Sequence, residues 1–294
     1  MKPNSSKWIG AVALLLPLLA GAIAARADGT TVAPNTPTIN STTIHIALLS
    51  DTHTTRSTKE DKPLFKGRLD KVIASVNAAH PDLVLIAGDL TDGGLAEQFS
   101  DFKTQIQGFQ VPSLVVPGNH DVGDKIIPGK EGGITAKRLA QYEAVFGPSF
   151  YVSKQPHLRV IAVNSSLLGS GLPQEAQQWD FLEKELGQPA TLPTVLLMHY
   201  PPFLKTADEA GGGYWNIEPA PRQRLLDLIK RGKVTAVLTG HLHRPLQNQL
   251  GETVCITTPP VSWGIPKGKQ KEGWTLVTIT PQGQVTAEHE YTDD

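Results

Sequence analysis

Short apolar runs of strand length recur along the chain from Thr43 onward. They are Ile44 to Leu49, Leu83 to Ile86, Ser113 to Val116, Val160 to Val163, Thr194 to Leu197 and Val234 to Leu238. Near-continuous apolar runs suit strands buried on both faces. Between them lie segments of helical period. Leu69, Val72, Ile73 and Val76 mark one, and Leu95, Phe99, Phe102 and Ile106 mark another. Ala136 to Phe146, Glu175 to Leu186 and Pro221 to Arg231 read as three more. The pattern then changes, because Thr253 to Thr257, Trp274 to Thr280 and Gln284 to Tyr291 follow one another as strands without intervening helices. Alternating strands and helices predict an α/β layered domain over 43–294, its sheets covered by helices.

The start of the chain departs from this pattern. Lys2 and Lys7 precede an apolar stretch from Trp8 to Ala25, which ends in Ala25-Arg26-Ala27. A basic start, a short apolar centre and an Ala-x-Ala end predict a secretory signal peptide over 1–27 and a secreted protein, periplasmic or extracellular. The competing reading is an uncleaved anchor, which Pro17 and the small residues at the end disfavour. Residues 28–42, rich in Thr, Pro and Asn, read as a flexible tether. No second membrane segment follows.

Composition narrows the function. The chain of 294 residues carries 27 basic and 28 acidic side chains, and loss of Lys2, Lys7 and Arg26 would take the net charge from −1 to −4. Binding to a nucleic-acid polymer is not expected of so balanced a chain. With Cys255 as the one cysteine, no internal disulfide and no Cys-x-x-Cys metal site can form. Any metal must be held by His, Asp, Glu or Asn.

Five short motifs fall at or just after predicted strand ends: Asp51-Thr52-His53, Gly88-Asp89, Gly118-Asn119-His120-Asp121, His199, and Gly240-His241-Leu242-His243. In open α/β sheets, sites gather in the loops beyond the carboxyl ends of strands. Each motif alone is weak, since an Asp-x-His is commonplace and a Gly-Asp can open a turn. Together they hold five of the nine histidines, each just past an apolar run, which points to a metal site. Extended backbone would aim Asp51 and His53 the same way, and likewise His241 and His243.

These five blocks, in this order from Asp51 to His243, resemble the calcineurin-like metallophosphoesterase family. The resemblance implies a four-layer α/β/β/α sandwich with a dinuclear metal centre. It places one metal on Asp51, His53, Asp89 and His243, and the second on Asp89, Asn119, His199 and His241, with Asp89 bridging. The donor set suits Zn, Mn or Fe better than Mg or Ca, without choosing among the three. His120 is implied to face the substrate as a catalytic group. Asp121 either orients that imidazole or caps a turn. Where the purple acid phosphatases carry a tyrosine ligand this chain has Asp92, and the phosphate-gripping arginine of the protein Ser/Thr phosphatases is missing from Gly88-Asp89-Leu90-Thr91-Asp92-Gly93-Gly94. The blocks together with Tyr142, Phe146-Gly147, Asn164-Ser165 and His199-Tyr200-Pro201-Pro202 look most similar to the subgroup of calcineurin-like phosphoesterase domain-containing proteins; bacterial cyclic-nucleotide phosphodiesterases share the blocks.

The activity implied is hydrolysis of phosphate mono- or diesters by a metal-bound hydroxide, with His120 assisting the leaving group. The substrate would be a small-molecule or phosphoprotein phosphate ester. A cyclic-nucleotide or glycerophosphodiester phosphodiesterase is the alternative, and a metal-binding scaffold without activity is the alternative of another class. Two loops border the motifs. Val122 to Ile134 contains Lys125 and Lys130, and Lys205 to Glu218 contains Tyr214 and Trp215, which either stack on substrate or pin their loop.

Overall fold

The computed structural model describes residues 42–292; the expected signal peptide over 1–27 and the tether up to residue 41 lie outside the described residues. In chain order the elements are β1 (Ile44–Leu49), α1 (Leu64–Ala79), β2 (Leu83–Ala87), α2 (Ala96–Gln105), β3 (Ser113–Val116), α3 (Asn119–Val122), α4 (Ala136–Phe146), β4 (Tyr151–Gln155), β5 (Leu158–Ala162), α5 (Pro173–Leu186), β6 (Thr194–Leu197), α6 (Pro219–Arg231), β7 (Ala236–Thr239), β8 (Leu246–Leu250), β9 (Thr253–Thr257), β10 (Gly273–Ile279) and β11 (Val285–Tyr291). They form one sheet of order β11-β10-β1-β2-β3 and a second of order β4-β5-β6-β7-β9-β8. The central strands run parallel, β1 to β2 to β3 in the first sheet and β5 to β6 to β7 to β9 in the second. Antiparallel strands close the remaining edges.

Strand alternation divides the core into layers. Ile44, Ile46 and Leu48 of β1 pack in a cluster with Val160, Val195, Leu197, Ala236 and Leu238 of the second sheet, so the two sheets face each other. Ala47 and Leu49, on the opposite side of β1, join Leu69, Val72 and Val76 of α1 with Phe99 and Phe102 of α2 and Tyr142 of α4. On the far side of the second sheet, Ile161, Leu196 and Val237 meet Trp179 and Leu182 of α5 and Leu225 and Ile229 of α6. The result is two sheets flanked by helices, the α/β/β/α arrangement the resemblance implied. No helix among the described residues is long and apolar enough to cross a membrane.

Two strands lie outside the runs read from the sequence. Tyr151-Val-Ser-Lys-Gln and Leu246-Gln-Asn-Gln-Leu occupy edge positions, where one face meets solvent and polar residues alternate into the pattern. Each pairs antiparallel with the strand that follows it in sequence, so its strand character comes from the partner more than from its own apolar content.

Candidate metal centre

The parallel register of β1 and β2 continues into the loops beyond them. The amides of Asp51, His53 and Thr54 each donate at 3.0 Å to the carbonyls of Gly88, Asp89 and Leu90 in turn. This ladder sets Asp51 and His53 beside Asp89. Within it the backbone is not extended: Asp51, His53 and Asp89 have φ of 55°, 45° and 49°, and His241 and His243 have φ of 72° and 50°. The side chains of each Asp-x-His or His-x-His pair therefore converge through left-handed turns, which cost a non-glycine residue on the order of 1 kcal/mol or more each. The extended geometry expected for these pairs is replaced because an extended strand would carry them past the site.

Two motif glycines owe their place to close packing. A Cβ on Gly118 would overlap the amide and carboxylate of Asp89, and one on Gly240 would overlap the side chain of Ser50. The Gly-Asn-His-Asp and Gly-His-x-His blocks need glycine because their backbones press against the other motifs.

The structure brings all seven sequence-predicted ligand side chains together, and all are buried. Asp51, His53, Asp89 and His243 form one group whose donor atoms lie within 4.8 Å of one another, and Asp89, His199 and His241 form a second. Asp89 is common to both. Its Oδ2 lies 3.5 Å from Nε2 of His53 and 3.3 Å from Nε2 of His199. Oδ1 of Asn119 approaches the second group at 3.0 Å from Nε2 of His199.

Backbone carbonyls set which ring nitrogen of three histidines faces inward. Nδ1 of His199 donates to the Ala87 carbonyl at 2.7 Å, Nδ1 of His243 to the Trp263 carbonyl at 2.6 Å, and Nε2 of His241 to the Tyr214 carbonyl at 3.3 Å. The remaining nitrogens of these rings then face inward, and they crowd. Nδ1 of His241 is 3.2 Å from Nε2 of His199, and Nε2 of His53 is 3.3 Å from Nε2 of His243. Oδ1 of Asp51 is buried without a hydrogen-bond donor. Four imidazoles packed this closely around a shared carboxylate, with an orphaned buried carboxylate oxygen beside them, are costly unless cations lie among them, so the donor set fits metal ions.

The titration behaviour agrees. Burial, with the neighbouring imidazoles of His120 and His243, holds His53 well below the ordinary histidine value against the pull of Asp89. Burial and His199 do the same to His241, so both are neutral and able to ligate. At His199 burial is outweighed by Asp89, and the value rises to about 9. A proton held that firmly occupies ground where a cation would serve Asp89 equally well.

His120 sits at the rim of the group, its ring edge-on to that of His53 at 4.5 Å. Nδ1 donates to the Asp92 carbonyl at 2.9 Å, which leaves Nε2 free. Burial acts to lower its pKa, but Asp89 and the Asp92 carbonyl raise it above the ordinary value. Asp121 does not take the orienting role. Its carboxylate, fully buried, accepts from the amides of Leu90, Thr91 and Gly118 and from the Thr91 hydroxyl at 2.8–3.0 Å. It staples the Asp89 loop to the Gly118 turn, the capping alternative in enlarged form. Asp92 pairs with Lys62 at 2.5 Å and lies 3.8 Å from Nδ1 of His53.

Lys125 is buried and pairs with Glu218, tying the two bordering loops together, whereas Lys130 stands in solvent. Trp263 was not singled out in the sequence. It follows β9, and its ring centroid lies 4.2 Å from that of His53 and 4.4 Å from that of His243. The rule that sites gather beyond parallel strands points to this loop too once β9 is known to be parallel to β7.

The family model for calcineurin-like phosphoesterases matches residues 44–245, which include every one of these seven side chains and His120. The chain belongs to the calcineurin-like phosphoesterase family. Among curated relatives of this family member, a probable glycerophosphodiester phosphodiesterase, GpdQ, of Arcobacter nitrofigilis is 28% identical over 68% of this chain and 71% of that protein. A probable cyclic nucleotide phosphodiesterase of Rhodococcus erythropolis is 30% identical over 66% of this chain and 63% of its own length. The serine/threonine-protein phosphatase CPPED1 of Danio rerio is 27% identical over 56% of this chain and 54% of that one. A solved dimetal phosphatase from Danio rerio shares the fold with a TM-score of 0.60 at 11% identity, covering 84% of this chain and 96% of that one. Family membership and the buried donor cluster make this phosphoesterase a metal-dependent phosphoric ester hydrolase.

Proposed function

We propose that this enzyme is a dinuclear metallophosphoesterase acting on phosphate diesters. Asp51, His53, Asp89 and His243 would hold one cation, and Asp89, Asn119, His199 and His241 the second. The observation that carries the dinuclear reading is that Asp89 belongs to both donor groups, because two cations held close together need a shared anion to offset their repulsion. Zn, Mn and Fe suit the mixed imidazole and carboxylate donors. When bound, such ions neutralise phosphoryl oxygens and lower the pKa of water towards about 7.

The chain's own residues then orient and protonate. Asp121 holds the Asp89 and Gly118 loops in register, and the Asp92 carbonyl fixes the ring of His120. Nε2 of His120 is left to face the ester and protonate the departing oxygen. Two tryptophans flank the donor groups. Trp263 lies against His53 and His243, and Trp215, 38% exposed, lies 5.5 Å from the ring of His241. Apolar surface on both sides favours a phosphate carrying two organic substituents, and the likeness to proteins named glycerophosphodiester and cyclic nucleotide phosphodiesterases supports the same class.

Turnover of bis(nitrophenyl) phosphate compared with nitrophenyl phosphate, each with Zn, Mn and Fe, tests the assignment. A higher kcat/KM for the diester is expected; preference for the monoester would overturn it in favour of a phosphatase. We further propose that residues 1–27 form a cleaved export signal. N-terminal sequencing of the protein from an exported fraction should then begin at Asp28, and recovery of the intact chain from the cytoplasm would reject export.

A further inference from the structure

Asn119 is the one uncharged amide in the proposed ligand set, and an amide offers an oxygen that can ligate a cation and a nitrogen that cannot. Which of the two faces inward depends on what holds the other. Oδ1 lies 3.0 Å from Nε2 of His199, while Nδ2 donates to the hydroxyl of Tyr214 at 2.9 Å, and the Asp124 carboxylate also interacts with the Asn119 side chain. Tyr214 comes from the loop between β6 and α6, 95 residues away in sequence.

That hydroxyl is presented by a braced loop. The Tyr214 carbonyl accepts from Nε2 of His241 at 3.3 Å, and its ring lies 4.8 Å from the His241 ring and 5.0 Å from that of Trp215. Glu209 accepts from the amides of Leu204, Lys205 and Thr206 and from the side chain of Asn216. Glu218 accepts from the amide of Gly212 and pairs with buried Lys125, on the segment that follows Asn119 and His120. The phenol is therefore held in place from its own loop and from the turn it serves. Two of the residues it touches, Asn119 and His241, belong to the proposed second ligand set. The first group takes its backbone acceptor from Trp263 instead.

We propose that Tyr214 is a positioning residue for the second metal position: its hydroxyl, beside the Asp124 carboxylate, holds Asn119 with the amide oxygen inward, and filling of that position depends on the β6–α6 loop. The inference rests on the ligand assignment proposed above. Polar groups that orient a ligating side chain usually alter metal affinity by about 10–100-fold when removed.

Zinc titration of the chelator-stripped full chain by calorimetry tests it, comparing wild type with Tyr214→Phe, which keeps the ring. The expected result is two ions in wild type, and in Tyr214→Phe a first ion bound as in wild type with the second weakened about 10–100-fold. At limiting zinc, kcat of the variant should fall with KM unchanged and recover in excess zinc, a rescue that a packing or substrate-contact role would not give. In an Asn119→Ala background, Tyr214→Phe should add little further loss, since both changes act on one interaction. Two ions bound with wild-type affinities in Tyr214→Phe would overturn this proposal alone. Loss of the first ion as well would also overturn it, because the hydroxyl would then support the fold in general. A wild-type chain that binds only one zinc would instead overturn the ligand assignment.

Discussion

Three side chains of the centre hold different tasks, and substitution separates them. Asp89 faces both donor groups, so Asp89→Ala should reduce the metal content of the purified enzyme below one ion per chain by elemental analysis. His120 lies outside both groups, and His120→Ala should keep two ions while kcat falls about 10²–10⁴-fold, the usual worth of a positioned acid. Asp121→Ala should act on the fold first. Four donors that now meet its carboxylate would be left buried without a partner, at a cost on the order of 3 kcal/mol or more, read as a lower denaturant midpoint. The chemistry of these residues was legible in the sequence because a ligand must be His, Asp or Asn whatever surrounds it. The role of Asp121 was not, since a carboxylate beside a histidine reads alike whether it turns toward the ring or toward a neighbouring loop. Trp263 and the Tyr214 hydroxyl were hidden for the same reason: their part depends on a contact made far along the chain.

At the scale of elements, the ends of the strands matter more than the strands. The interior of β2 is a run of buried aliphatics that many sequences could supply, yet the turn after β3 presses so closely on Asp89 that only glycine fits at 118. Gly118→Ala should therefore displace Asp89 and lower metal affinity, measurable in the same zinc titration. Gly67 provides the contrast. It lies on the exposed side of α1, and a methyl group there would meet nothing within 4 Å, so Gly67→Ala should raise stability by about 0.5–1 kcal/mol and leave metal binding unchanged. The parallel strands and five main helices were readable from period alone because each buries a stripe or a whole face. The edge strands β4 and β8 were not, because one face of each meets water and polar residues such as Lys154 and Gln249 cost nothing there.

For the molecule as a whole, the proposed ligands come from the loops of two facing sheets. Asp51, His53, Asp89 and Asn119 follow strands of the first sheet, and His199, His241 and His243 follow strands of the second. Ions bound there stabilise the folded state alone, by about 2.7 kcal/mol for each site at a free metal concentration 100 times its Kd. Chelation should thus lower Tm by several degrees, and Tm should climb again with added zinc; a Tm indifferent to metal would separate the centre from the stability of the fold. By itself the sequence determined the layered α/β class, the donor chemistry and the strand ends that carry it, because apolar period and ligand type are local properties of the residues. Tertiary structure decided the rest: that the paired motifs turn through left-handed backbone, and that Asp121 and Tyr214 brace loops distant in sequence. Those outcomes depend on how two sheets stack and which loops meet across them, which no single stretch of chain encodes.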